Sequence, residues 1–143
     1  MSTAATFHLD VVSPEGRLFG DAVLALHLRG GGGDLGIFPG HLQLLTDLPP
    51  GLLRIVLPHD ERVLYVSGGI LEVQPTQVTI LADTVERPED VNESAAEHAR
   101  QEAEQSLKHH PAGTVDYQEA QQNLAEAMAK LQVIEWMRLR KKH

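Results

Sequence analysis

Short apolar segments separated by turn residues fill the first 87 positions of the chain, and long segments of helical period fill the rest. The first pattern predicts strands at Thr6–Val12, Ala22–Arg29, Leu52–Leu57, Arg62–Val66, Gly69–Gln74 and Val78–Ala82. Period-2 alternation is clearest in Phe7, Leu9 and Val11 and in Val78 and Ile80, the spacing that points one face of a strand at a core. Between the segments lie Ser13-Pro14-Glu15-Gly16, Pro49-Pro50-Gly51, Pro58-His59-Asp60 and Pro75-Thr76, whose preset or permissive backbone angles suit turns. Many short strands at this spacing predict a sandwich or small barrel. The pattern has no strand–helix–strand alternation, which argues against a doubly wound sheet.

After Pro88 alanine, glutamate and glutamine replace glycine and the β-branched residues. Asp90 followed by Glu93 predicts a capping box and a helix to about His110, stopped by Pro111-Ala-Gly113. Asp116 followed by Glu119 predicts a second helix to about Arg140, roughly 36 Å long at about 1.5 Å per residue. A short break between two helices makes an antiparallel hairpin. The first helix carries a stripe of Ala95, Ala96, Ala99, Ala103 and Leu107, and the second one of Tyr117, Ala120, Leu124, Ala127, Leu131 and Ile134. A buried methyl contributes about 0.8 kcal/mol against roughly 1.5–3 for a whole leucine side chain, so this interface is expected to be weak. The second helix has another apolar face in Ala129, Val133, Trp136 and Leu139. That face has two possible covers, the β domain or a second protein.

Composition narrows the class. The 143 residues are 42% hydrophobic, enough for a core, and contain no cysteine, so disulfides and cysteine-based metal or redox sites are excluded. Neither a signal peptide nor a membrane-spanning apolar run is expected. The net charge of −8 argues against a nucleic-acid partner, which needs a concentrated basic surface. The charge is also unevenly distributed. Residues 86–135 hold eleven acids and four bases, whereas Arg138, Arg140, Lys141 and Lys142 crowd the last six positions. A basic last turn suits the helix dipole and also makes a charged tip.

No constellation assembles catalytic machinery. Gly30-Gly-Gly-Gly33 lacks the Lys-Ser/Thr and the following helix of a phosphate loop and reads as a flexible turn between strands. Ser67-Gly-Gly69 lies between two strand patterns and reads as a hairpin turn rather than a nucleophile elbow. His109 and His110 are adjacent, without the i, i+4 spacing of a zinc pair. Glu93, Glu97, Glu102 and Glu104 read as a solvated helix face. The expectation is an accessory protein with no catalytic residue, no metal and no cofactor.

Gly33-Asp-Leu-Gly-Ile-Phe-Pro-Gly-His41 and Tyr65-Val-Ser-Gly-Gly-Ile-Leu-Glu-Val-Gln-Pro75, followed by Val78-Thr-Ile-Leu-Ala-Asp83, resemble the epsilon subunit of the bacterial F-type ATP synthase. The opening Phe7-His-Leu-Asp-Val-Val-Ser13 and the stretch from Asp116-Tyr117 to Leu131-Gln-Val-Ile134 agree as well, so the likeness covers essentially the whole chain. It implies an all-β sandwich of about ten strands over residues 1–87, followed by a C-terminal antiparallel two-helix hairpin over residues 88–143. It further implies a place in the rotating central stalk, with the sandwich on the gamma subunit and the c-subunit ring. In that setting the loop holding Asp34, Gly36, Pro39, Gly40 and His41 faces the polar loops of the ring. The hairpin would open along gamma toward the catalytic β subunits and inhibit ATP hydrolysis. The residues concerned would be Leu124, Leu131, Val133, Ile134, Trp136 and the basic Arg138, Arg140, Lys141 and Lys142. Such a protein sits peripherally on the cytoplasmic face of the bacterial inner membrane.

One family feature is altered. Some members bind ATP through a motif opening the first helix, and here Asn92 stands at its acidic position and Ala95 at its arginine position. Two further basic positions are Glu102 and Glu126, while Glu86, Arg87 and Lys130 agree. Replacing guanidinium donors by carboxylates is wrong for a polyphosphate, so no nucleotide binding is expected. A second reading is an adaptor whose sandwich binds some other oligomer while its hairpin stays folded.

Overall fold

The computed structural model describes residues 5–30, 33–40 and 43–141. Ten strands and two helices follow one another along these residues: β1 Phe7–Ser13, β2 Gly16–Val23, β3 Ala25–Gly30, β4 Gly33–Ile37, β5 Leu44–Leu48, β6 Gly51–Val56, β7 Glu61–Val66, β8 Gly69–Val73, β9 Gln77–Ala82, β10 Val85–Glu86, α1 Glu93–His109 and α2 Val115–Lys141. A 3-10 turn, Pro88–Asp90, joins the strands to α1. The architecture is the expected ten-stranded sandwich with a two-helix hairpin behind it.

The strands form two five-stranded sheets. The first has the order β2-β1-β9-β8-β5 and the second β10-β7-β6-β3-β4. All pairings are antiparallel except β1 with β9. The alternation seen in the sequence sets the core: Leu9, Val11, Leu71, Val78 and Ile80 of the first sheet meet Leu26, Leu53, Ile55 and Val66 of the second. Polar residues of the same strands point outward, as a period of two requires.

The strand predictions fail in an orderly way. β4, β5 and β10 were not predicted, and only the last two residues of β2 were. These four are the edge strands of the two sheets. Their burial is sparse, with a single buried residue in β4 and none in β5 or β10, so they leave no alternating signal. The segment predicted as one strand at Ala22–Arg29 is two. Val23 ends β2 in the first sheet and Ala25 opens β3 in the second, with the Leu24 N–H donating to the Val56 carbonyl at 2.8 Å. Gly30 and Gly33 do face each other across the β3–β4 connection, as the turn reading required.

Ser67-Gly68-Gly69 is likewise not a hairpin turn, because it carries the chain from β7 in the second sheet to β8 in the first. It is fastened to the neighbouring crossing between β9 and β10. The Thr84 N–H donates to Ser67 Oγ at 2.8 Å, and the Asp83 N–H donates to the Gly68 carbonyl at 3.0 Å. Gly69 passes so close to β9 that an added Cβ would lie 2.0 Å from the Leu81 carbonyl oxygen.

Both helices start later or earlier than their predicted boxes. Asn92, not Asp90, caps α1, its Oδ1 accepting the Ala95 N–H at 2.9 Å, because Pro88–Asp90 is spent on the 3-10 turn. Thr114, not Asp116, precedes α2, with Oγ1 accepting the Tyr117 N–H at 3.2 Å. Gly113, at φ 89°, makes the break between the helices.

Candidate functional site

Three surfaces emerge from this fold. The first is the edge of the second sheet at β4. Asp34 lies in that strand, not in a loop, paired in register with Arg29 of β3, and the two side chains form an exposed ion pair at 3.4 Å. Gly36 faces His27, and a Cβ there would lie 3.1 Å from the Phe38 ring. Its absence lets Phe38 meet His27 edge to face, with centroids 5.6 Å apart. Pro39-Gly40 makes the turn leaving the strand, with Gly40 at φ 80°. His41 lies outside the described residues. The sequence reading missed Phe38, a phenyl ring 54% exposed at the end of an edge that also exposes Leu35; its place inside the Gly-Ile-Phe-Pro-Gly motif was the available signal. Burial, with Arg54 as the second cause, holds His27 below the ordinary imidazole value.

The second surface is the seat of α2. The outward face of the second sheet offers Leu52, Val63 and Tyr65, and Ala129 and Val133 of α2 pack onto it, with Val91 and Trp136 at the margins. The second apolar face of α2 is thus covered by the β domain, apart from Leu139, which is 51% exposed. Of the residues expected to form the inhibitory helix, Val133 is wholly buried here, while Leu124, Leu131, Ile134 and Trp136 are half-buried. Arg138 and Arg140 are exposed and engaged in ion pairs with Glu93 and with Asp60 and Glu61. Lys141 closes α2, and Lys142 lies outside the described residues.

Contact between the two helices rests on small side chains. Ala96 and Ala103 of α1 and Ala120 and Ala127 of α2 are the buried ones, each pair seven residues apart. Ala95, expected in this stripe, is exposed, and Ala99 and Leu107 are only half-buried. Four buried methyls contribute about 3 kcal/mol as an upper bound, comparable to burying one or two larger apolar side chains. The acidic face of α1 is laced by its own bases: Arg100 reaches Glu97 and Glu104, and His98 lies 2.9 Å from Glu102.

The third surface is a groove of about 690 Å³ between α1 and α2. The positions compared above with an ATP motif converge on it, for Asn92, Ala95, Glu102, Glu126, Glu86 and Lys130 all line its walls. Asp90, Asp116 and Glu119 add three more carboxylates, against Lys130 and His110 as basic groups. Lys130 is already turned to the protein, 3.9 Å from Glu86 and over the Tyr65 ring. Burial, reinforced by Glu126 and Glu86, pushes the Tyr65 hydroxyl well above its usual range. Asn92 is engaged in capping. Among the described residues no cluster of histidine and carboxylate side chains suits a metal ion.

Residues 6–88 match the family described as ATP synthase, Delta/Epsilon chain, beta-sandwich domain, and residues 89–135 match the long alpha-helix domain of the same chain. The chain belongs to the ATP synthase delta/epsilon chain family. Two solved structures share the fold of this delta/epsilon chain. One, from the Euglena gracilis mitochondrial ATP synthase with OSCP, F1 and c-ring, is 17% identical, with a TM-score of 0.68 over 98% of this chain and 84% of its own. The other, from the central stalk and c-ring of the Tetrahymena thermophila mitochondrial ATP synthase, is 12% identical, with a TM-score of 0.64 over 93% of this chain and 99% of its own. No helix among the described residues of the delta/epsilon chain is long and apolar enough to cross a membrane.

Proposed function

We propose that this delta/epsilon chain is a non-catalytic rotor subunit of an F-type ATP synthase. It joins the gamma subunit and the c-ring through its sandwich and restrains ATP hydrolysis through α2. The observation that carries this reading is the match of both family domains, in order, to one chain whose α2 is seated on the sandwich through few side chains, Ala129 and Val133 with Trp136 at the margin. The domain division at residues 87 and 88 follows the same logic, a coupling body and a regulatory arm. The assemblies from which the two structural relatives come support the stalk position.

The β4 edge is the surface proposed for the c-ring. Asp34 offers an acceptor to a basic loop residue, which would compete with Arg29 for it across an exposed 3.4 Å pair. Gly36, Pro39 and Gly40 shape that edge, and His41 follows them in the chain. For the arm, Val133 and Trp136 would exchange their seat on the second sheet for gamma and the catalytic β subunits. Arg138, Arg140, Lys141 and Lys142 would meet acidic groups there. The groove is proposed to take no nucleotide, because a polyphosphate would face more carboxylates than bases. The location that goes with this reading is the cytoplasmic face of a bacterial inner membrane, held there through the complex.

Affinity capture with the full chain tests the assembly. A coiled-coil gamma subunit and the c-ring should be recovered together. Recovery of a different oligomer without gamma would favour the adaptor reading instead.

A further inference from the structure

The basic end of α2 is the part that the proposed function sends toward an acidic partner, yet its guanidinium groups are already occupied. Arg140 Nη2 lies 3.2 Å from Asp60 Oδ1, and Arg140 Nη1 lies 3.4 Å from Glu61 Oε2. Arg138 pairs with Glu93, the first residue of α1. The carboxylates come from two separate bodies: Asp60 from the turn between β6 and β7 with Glu61 opening β7, and Glu93 from the start of the other helix.

The β6–β7 turn and the first residue of β7 are built to hold these two acids in place. The Leu57 N–H donates to the Asp60 carbonyl at 2.8 Å, which closes the turn. Glu61 is fixed from its other oxygen, Oε1, by Arg54 at 3.0 Å. Trp136 lies one turn before Arg140, whose guanidinium carbon sits 5.0 Å from the indole centroid. Beneath this cluster Val133 is wholly buried on the second sheet.

We infer that Asp60, Glu61 and Glu93 form an acidic clamp that keeps the basic end of α2 down on the sandwich and competes for it with any acidic partner. The clamp imitates the charge of the surface the tip is proposed to meet, so release requires the partner to outbid the chain's own carboxylates. All three contacts are exposed, and exposed pairs are individually weak and screened by salt, with a Debye length of about 10 Å at 0.1 M and about 3 Å at 1 M. Docking of the tip is therefore graded by ionic strength, whereas the alanine interface between the helices is not.

Part of this inference, the competition, rests on the inhibitory reading above; the clamp itself does not. The chain's single tryptophan, Trp136, reports it directly. In the isolated full chain, raising NaCl from about 0.05 M to about 1 M should move Trp136 emission to longer wavelength as the tip leaves the sheet. The variant Asp60→Asn, Glu61→Gln, Glu93→Gln should start at the longer wavelength and lose the salt response, its docked-to-undocked ratio lowered roughly three- to tenfold. Because Glu61 also serves Arg54, the pair Asp60→Asn, Glu93→Gln should give a smaller shift of the same sign. Emission insensitive to salt and equal in both variants would overturn the clamp, whatever hydrolysis does. Rebuilt into the ATP synthase, the triple variant should inhibit hydrolysis more strongly than the native chain. A shifted tryptophan with unchanged hydrolysis would keep the clamp and remove the inhibitory role of the arm.

Discussion

At the residue scale the fold depends on a few positions where only one side chain fits. Gly69 is the sharpest. A methyl group there would overlap the Leu81 carbonyl oxygen at 2.0 Å, and that oxygen belongs to a central strand that cannot yield. Gly69→Ala should lower stability in urea unfolding by more than about 3 kcal/mol. Gly16→Ala, where nothing lies within 4 Å and only φ 130° is strained, should cost about 1–2 kcal/mol. His27 adds a dependence on pH. Its ionisation is shifted below 6.5 by burial and by Arg54, so the unfolded chain takes up a proton before the folded one does. The stability this gives is fully present above the unfolded value and is lost as the pH falls through the folded one. The unfolding midpoint should therefore decline from about pH 7 to about pH 5, and decline less in His27→Gln.

At the scale of elements, the sequence made the interior legible and left the margins obscure. Strands with a buried face, such as β1 and β9, announce themselves because Phe7, Leu9, Val11, Val78 and Ile80 must recur at every second position to fill one core. The edge strands answer to a partner on one side only, and β4 with its exposed Gly33, Asp34, Leu35 and Gly36 carries no such constraint. The ten strands were legible through the family resemblance, not through periodicity. The resemblance puts Asp34 in a loop, and the structure puts it in β4 opposite Arg29. The helix starts went wrong by two residues, while the far ends agree to within one, because Asp90, Asn92, Thr114 and Asp116 are all good caps and the choice among them depends on how the preceding turn is closed. Asn92→Ala should cost about 1 kcal/mol, read from the loss of helicity in thermal unfolding, since the Ala95 N–H loses its acceptor. Val133→Ala should weaken the seat of α2 by about 2 kcal/mol, visible as faster proteolysis within α2 while the sandwich stays intact.

For the whole molecule the central relation is between a well-filled sandwich and a lightly held arm. The sandwich buries two full rows of aliphatic side chains, whereas α1 meets α2 through alanines and α2 meets the sheet chiefly through Ala129 and Val133. Exposed ion pairs complete the attachment. Removing the arm should therefore leave the β domain folded, and nucleotide in the acidic groove should not be what retains the arm. Calorimetric titration of the chain with ATP is expected to show no micromolar binding. The most direct test is the ATP hydrolysis rate of the synthase rebuilt with the full chain or with one ending at Pro88. The account predicts that the shortened chain still assembles and that hydrolysis rises; unchanged hydrolysis in a fully assembled complex would contradict it.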